Sequence, residues 1–376
     1  MLPQFSGRTL EWQAMLLNAE EIDTNIGWLL TNASPPVRYL THRHILRTDP
    51  RSEQMRELWR GVENSHAAEQ ILSRQNADGS WFSSGDWGSV GYRHKGGKGY
   101  TTAHPKFVTT AWILPFLGEM GFTIDDKRIE KACEAMLLEW EAPPVADKAR
   151  ENCCGLYAVP LRAFASVEMA SDPRLQGAWD RLVRCQRDDG GWLNPRHLPD
   201  SRSPSKTQGR WPWDRSCAWG SSFAAEALYR STAPEHRPPL TRALQFQLWH
   251  LSQKNEAHIQ TWVYHGHNTV QELLMFSEAG IDMGARPIQA QLQWLRGLYR
   301  ADRGMFRAQA EPIPTFTRQI SAIMKESEDR HGPGYWNEIP KVGYGVLRYR
   351  LYHLVEDDWL TYYLTRIAQN MLLPGQ

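Results

Sequence analysis

The feature that most constrains this chain is a heptapeptide that returns. Gln75-Asn76-Ala77-Asp78-Gly79-Ser80-Trp81 recurs as Gln186-Arg187-Asp188-Asp189-Gly190-Gly191-Trp192, and in worn form as Arg300-Ala301-Asp302-Arg303-Gly304-Met305-Phe306. A repeat at long, near-equal intervals implies one structural unit copied along the chain, each copy burying its apolar face on a neighbour. Each copy follows a helical pattern, around Ile71 and Leu72, then Leu182 and Val183, then 289–299. Asp-Gly ends a helix through a turn that needs φ > 0. The Trp is expected to fold back onto the helix it has just left. The Gln amide can bond backbone groups freed at a helix end. The motif therefore reads as a staple between outer helices, not as a catalytic device.

Two kinds of helical stretch alternate between the staples. Segments 35–47, 104–118, 153–170, 216–230, 267–279 and 341–355 are rich in small and aromatic residues. Segments 52–75, 126–140, 172–186, 237–252, 286–299 and 357–370 are more charged and amphipathic. Helices apolar all round belong inside and amphipathic ones outside. Six of each predict an all-α fold, an α6/α6 toroid, with 1–376 as a single domain. Long loops at 82–103, 193–215 and 303–340 interrupt the alternation, and loops of that length often bind ligands or act as lids.

Composition narrows the function classes. With 43 Lys and Arg against 42 Asp and Glu, the formal net charge is +1, which is no nucleic-acid footprint. No apolar run is long enough to span a membrane. The five cysteines, an odd number, and the absence of an apolar leader predict a cytoplasmic protein with reduced thiols. The 17 Trp serve equally to fill a core or to line a cavity. Oligomeric state is not legible.

The Gln-x-x-Asp-Gly-x-Trp copies resemble the repeats of the squalene–hopene cyclase and protein prenyltransferase superfamily, from about residue 35 onward. The phrases Gly121-Phe122-Thr123-Ile124-Asp125-Asp126 and Ser171-Asp172-Pro173-Arg174 are similar to its small bacterial members. The resemblance implies the toroid fold and a hydrophobic substrate in the ring, but fold does not fix function. The Asp-x-Asp-Asp acid of proton-initiated cyclases is missing, as is an Asp-Asp-x-x-Asp motif for diphosphate and magnesium. The nearest string, Thr123 to Asp126, reads as the N-cap of the next helix.

In such a ring the inner helices run parallel, so their N-termini meet around one mouth. His104, Cys153 and Cys154, Asp214 and Cys217, and His265 and His267 stand at four successive starts. These are zinc-ligand types, and a helix N-terminus favours the thiolate. Related prenyltransferases hold zinc through an Asp, a Cys and a His, which the resemblance would place at Asp214, Cys217 and His265 or His267. Here Asp214 and Cys217 are three apart rather than two. A metal-free thiol site is the next option, with His104 as acid–base group and Cys154 as the thiol. Adjacent Cys153 and Cys154 cannot readily face one ion. Asp86, from the first loop, and Tyr264, with its potential to stabilise a cation, complete the catalytic candidates. Gly96 to Gly99 lacks the strand and Lys-Ser/Thr of a P-loop, so no nucleotide cofactor is expected. His42 and His44, two apart, should point to different faces and serve structure.

The expected function is an enzyme acting on a hydrophobic isoprenoid or aromatic molecule in the ring. Its step would be a lyase, isomerase, cyclase or hydrolase reaction, with zinc as Lewis acid if a metal is present. Two other classes stay open: a non-catalytic lipid- or metabolite-binding module, and a glycan-active α/α barrel using paired carboxylates.

Overall fold

The structure is a computed structural model that describes residues 16–73, 75–81, 110–141, 154–192, 216–254, 263–264, 267–307 and 357–372. Its described residues are mostly helical. In chain order come α1 (Ala19–Asn32), α2 (Pro35–Leu40) running into a π turn (Thr41–Ile45), α3 (Glu53–Glu63), α4 (His66–Leu72), α5 (Thr110–Glu119) and α6 (Lys127–Glu141). Then follow α7 (Cys154–Ser166), α8 (Gln176–Arg184), α9 (Ala218–Arg230) and α10 (Arg237–Ser252). The ribbon β1 (Val263–Tyr264) and β2 (His267–Asn268) leads to α11 (Thr269–Glu278) and α12 (Arg286–Arg296). A second ribbon, β3 (Tyr299–Arg300) and β4 (Met305–Phe306), precedes α13 (Asp357–Leu372). Both ribbons are antiparallel.

Local signals account for several helix starts. Asn18 and Glu21 form a reciprocal capping box on α1. Ser52 caps α3 and Ser65 caps α4, so the single stretch expected over 52–75 is two helices broken at Asn64 and Ser65. Asp126 accepts from the backbone N–H of Arg128 at 2.8 Å, the N-cap role expected of it.

Helices α7 and α9 pack on each other, α5 packs on α7, and α13 packs on α11, on α1 and on α2 with its π turn. The first and last described helices are therefore neighbours. Arg296 at the end of α12 also reaches Glu21 of α1 at 2.6 Å. The apolar core runs continuously through α5, α7, α9, α11 and α13.

Helix α13 corrects the expectation for 357–370. Its residues Trp359 to Thr365 are all buried, so it is an interior helix rather than an amphipathic outer one. The polar residues that read as a wet face have protein partners instead. Thr361 bonds the backbone of Phe306 and Thr365 bonds Asn25. The interior helix expected over 341–355 lies outside the described residues. Likewise α11 begins at Thr269, not at His267, because 267–268 pairs as a strand.

The three turns repeat as the sequence predicts. Gly79, Gly190 and Gly304 have φ of +95°, +88° and +63°. The indoles of Trp81 and Trp192 donate to Ile71 O and Leu182 O, each at 2.9 Å, ten residues back in the helix just left. Gln75 Nε2 donates to Gly79 O at 2.8 Å and across to Arg128 O of α6 at 2.7 Å. Gln186 does the same to Gly190 O and to Pro239 O of α10, at 2.9 and 2.8 Å. A Cβ on Gly79 would lie 2.6 Å from Lys131 O, and one on Gly190 2.4 Å from Arg242 O. The turn thus lies directly on the next charged helix, and only glycine fits both the φ and the space.

The sequence reading missed the second anchor of each turn. The backbone N–H of Trp81 donates to Thr110 Oγ1 at 3.0 Å, that of Trp192 to Ser221 Oγ at 2.8 Å, and that of Phe306 to Thr361 Oγ1 at 2.9 Å. Three equivalent hydroxyls on α5, α9 and α13 receive three equivalent turns. The third copy has lost its Gln, and Asn25 of α1 takes over. With its amide nitrogen turned inward, Asn25 donates to Gly304 O at 2.7 Å.

Candidate functional site

A cavity of about 540 Å³ opens where six of these segments converge. Leu40, Arg43 and His44 come from α2 and its π turn, Gly118 and Glu119 from α5, and Ala165 and Ser166 from α7. Glu226, Tyr229 and Arg230 come from α9, Leu274 and Met275 from α11, and Tyr362, Tyr363 and Arg366 from α13. The cavity sits at the C-terminal ends of α2, α5, α7 and α9.

Local backbone choices set its wall. In the π turn the Leu46 N–H bonds Thr41 O at 3.0 Å, five residues back. That widened turn lets Arg43 and His44, adjacent in sequence, both face the cavity, and π turns favour functional sites. A Cβ on Gly118 would lie 2.0 Å from Ser166 O, so glycine is what allows α5 and α7 to close up at this end. Helices α5, α7 and α11 finish alike: the N–H of Phe122, Met169 and Ile281 each bonds a carbonyl five residues back at 3.0 Å. The left-handed residue of that closure is Gly121 in the first and Gly280 in the third. In α7 it is Glu168, at φ +65°. A side chain there costs about 1 kcal/mol relative to glycine.

Charge alternates around the wall. Arg43 reaches Glu168 at 2.7 Å. Arg230 bridges Glu119 at 2.7 Å and Glu226 at 3.1 Å, and Glu226 continues to Arg162 at 3.1 Å. Arg366 reaches Glu278 at 2.5 Å and donates to Tyr362 Oη at 3.1 Å. Tyr229 donates a short hydrogen bond to the same Glu278. Exposure grades along this wall, from the buried Arg162–Glu226 pair to the largely solvent-facing Arg43–Glu168 pair; a buried pair adds little net stability, because desolvation offsets the attraction, but breaking one is costly.

The titrating groups are displaced by the same surroundings. Burial, with Arg366 and Arg43 nearby, holds His44 well below the usual imidazole range, so it is neutral at pH 7. Burial and the Glu278 carboxylate hold the Tyr229 phenol well above its usual range. Burial lifts Tyr362 to about 12 against the opposing pull of Arg366. Outside the cavity wall, burial raises Glu272 of α11 to about 8. The wall therefore presents the Tyr362 phenol, a Tyr229 oxygen whose own proton goes to Glu278, a neutral imidazole and fixed ion pairs beside an apolar strip of Leu40, Ala165, Leu274 and Met275. That set can orient a polar group and pass it a proton.

The catalytic and metal candidates that the structure describes are Cys154, Cys217, Tyr264 and His267, and Cys217 is not among the residues lining this cavity. His104, Asp86, Asp214 and His265 lie outside the described residues. Cys154 is the first residue of α7, and its side chain is outside the description. Cys217 is the N-cap of α9, as expected, half-buried and tied through its N–H to Trp192 O at 2.8 Å. Tyr264 and His267 are brought together, as partners across the β1–β2 ribbon. Cys217 lies at the opposite end of α9 from Arg230, about 20 Å along the axis at 1.5 Å per residue. Among the described residues no group of three His, Cys, Asp or Glu side chains is placed to hold a metal ion. Among the described residues no helix is long and apolar enough to cross a membrane.

Sequence reasoning missed the cavity groups; the π turn has no signature in the sequence, and the one available signal is that Glu168 fills a helix-end position that glycine takes in two sister helices. No protein-family model matches the sequence, and no curated protein matches it.

Proposed function

We propose that the paired helices close into an α6/α6 ring, and that its central cavity binds and transforms a small amphiphilic molecule. One observation carries this reading: six segments spread over the chain each give side chains to one cavity of about 540 Å³. That is the size and setting of small-molecule sites between helices. The adjacency of α1 to α13, and the seating of Gly304 against Thr24, support closure of the ring.

The reaction fits proton transfer in a lyase, isomerase, cyclase or hydrolase step. The Tyr229 hydroxyl, whose proton is given to Glu278, is the relay the wall offers: its oxygen accepts a substrate proton as its own passes to Glu278, and His44 is a second, neutral acceptor. The apolar strip suits the isoprenoid or aromatic body expected from the repeat's likeness to terpenoid cyclases. The charged wall adds that the substrate carries a polar group. Zinc at the N-terminal mouth, held by Asp214, Cys217 and His267 or His265, remains part of this proposal as a second functional element. It is tested by elemental analysis of purified protein beside Cys217→Ala: near-stoichiometric zinc lost in the variant supports it, and zinc retained in the variant refutes this ligand set.

The cavity reading is tested by incubating the protein with a panel of amphiphilic isoprenoid and aromatic compounds. Ligands are read by thermal shift and products by mass spectrometry. An enzyme gives turnover that Tyr229→Phe reduces at least tenfold while ligand affinity is kept. Binding without turnover across the panel would favour the binding-module reading.

A further inference from the structure

The cavity wall contains a carboxylate whose placement its own helix does not call for. Glu168 takes the left-handed position that closes α7, where the equivalent ends of α5 and α11 use glycine. Its carboxylate crosses to Arg43 at 2.7 Å, with 56% of its side chain exposed. A surface pair of this kind adds at most about 1 kcal/mol, roughly what the strained backbone costs, so stability alone does not account for it. Behind Arg43 stand His44 on the same turn and Arg366 on α13, and all three line the cavity. Arg366 is committed to Glu278 and Tyr362 in the interior, whereas Arg43 is held, with the Tyr39 hydroxyl beside it, by Glu168, the most exposed of the described acids along this wall.

We infer that the Arg43–Glu168 pair is the resting form of an anion subsite, in which Glu168 holds the place of a ligand carboxylate. This deepens the function proposed above and rests on it: the cavity's substrate is an organic carboxylate with an apolar body. The resident group fixes the class. Arg43 already holds a carboxylate, through one hydrogen bond from Nη2 to Glu168 Oε1 at 2.7 Å, and a planar two-oxygen anion is what a guanidinium fork matches best. A monoanion replaces Glu168 charge for charge, while a dianion leaves a surplus against Glu278 and Glu119. The apolar strip of Leu40, Leu274 and Met275 receives the rest of the molecule.

The probes are decanoate and decanol, equal in chain length and different only in the anion, measured by calorimetry on the full chain. Wild type is expected to bind decanoate at least tenfold tighter than decanol. Arg43→Gln brings decanoate down to the decanol level. Glu168→Gly, which removes the competitor and relaxes the backbone, tightens decanoate about fivefold and leaves decanol unchanged. A merely structural Glu168 would not produce that gain. Both substitutions are at half-exposed or exposed side chains, and a thermal melt confirms that each variant folds. The inference is overturned if Glu168→Gly leaves decanoate unchanged or weakens it, or if wild type binds the two probes alike. Equal binding would leave the cavity reading standing, whereas binding of neither probe would overturn both.

Discussion

The turn motifs and the cavity wall use the same polar groups on opposite plans. Each turn is assembled within seven consecutive residues and then hooked to its neighbours by a Gln, an indole and a distant hydroxyl. The wall takes two or three residues from each of six segments, and no motif recurs among them in sequence. The turns are redundant: the third copy has lost its Gln and its Trp, yet Gly304 and Phe306 keep the docking, with Asn25 and Thr361 supplying the bonds. The wall has no such spare parts. Damage to a turn should therefore cost stability alone, and damage to the wall should cost stability and ligand together.

The largest effect tests the wall. Arg366→Met leaves Glu278, with 24% of its side chain exposed, beside Tyr229 without its cation, and should destabilise by about 3–4 kcal/mol, the lower part of the range for a fully buried pair. Restoring charge balance with Glu278→Gln in the same chain should recover much of that, as read by urea denaturation. If Arg366→Met alone is neutral, the buried charge chain is not as tightly paired as the distances indicate.

Next comes a turn. Gly190→Ala meets both a φ of +88° and a carbonyl 2.4 Å away, and should cost about 2–4 kcal/mol. Ligand affinity measured on the surviving folded protein should not change. A shift in affinity would break the proposed separation of turns from wall.

A smaller effect concerns pH. Glu272 is raised from 4.5 to about 8 by burial, so between those values the folded state binds the proton and the unfolded state does not. Its contribution to stability is complete below pH 4.5 and is lost as pH rises through 8. Glu272→Gln should flatten the decline in melting temperature between pH 5 and 8. An unaltered slope would assign the decline to other groups. Histidines run the other way: burial lowers His250 to about 4, so stability falls as pH drops from 6.5 towards that value.

The smallest effect sharpens the comparison within the turns. Trp192→Phe copies what nature placed at Phe306 and removes one indole bond to Leu182 O. A loss of about 1–2 kcal/mol is expected, from one hydrogen bond and some packing. A loss as large as that of Gly190→Ala would mean that the intact copies depend on the indole in a way the worn copy does not.

The sequence made the turns legible because their causes are local. An Asp-Gly after a helix, a Gln before it and a Trp after it announce a left-handed turn with a returning ring, and all of that is found. The partner hydroxyls were not legible: Thr110 and Ser221 stand 29 residues on, Thr361 stands 55 on, and a hydroxyl in a helix has no signature of its own. Helix α13 was misassigned for a related reason. Its Thr, Tyr and Arg residues read as a wet face, yet their partners lie on other segments. His44 was set aside because residues two apart diverge on an α-helix, and the π turn removes that premise. Of the predicted mouth, Cys154 begins α7, Cys217 caps α9 and His267 precedes α11, at the far ends of those helices from the cavity; His104, Cys153, Asp214 and His265 lie outside the described residues.

The account turns on the cavity being where the molecule works. The most direct measurement is a parallel ligand screen by thermal shift on wild type and Ala165→Leu, which places bulk in the cavity from a buried position on α7. Compounds that raise the wild-type melting temperature by several degrees should have no effect on a folded Ala165→Leu protein. Equal stabilisation of both proteins would contradict the account and move the working site away from this cavity.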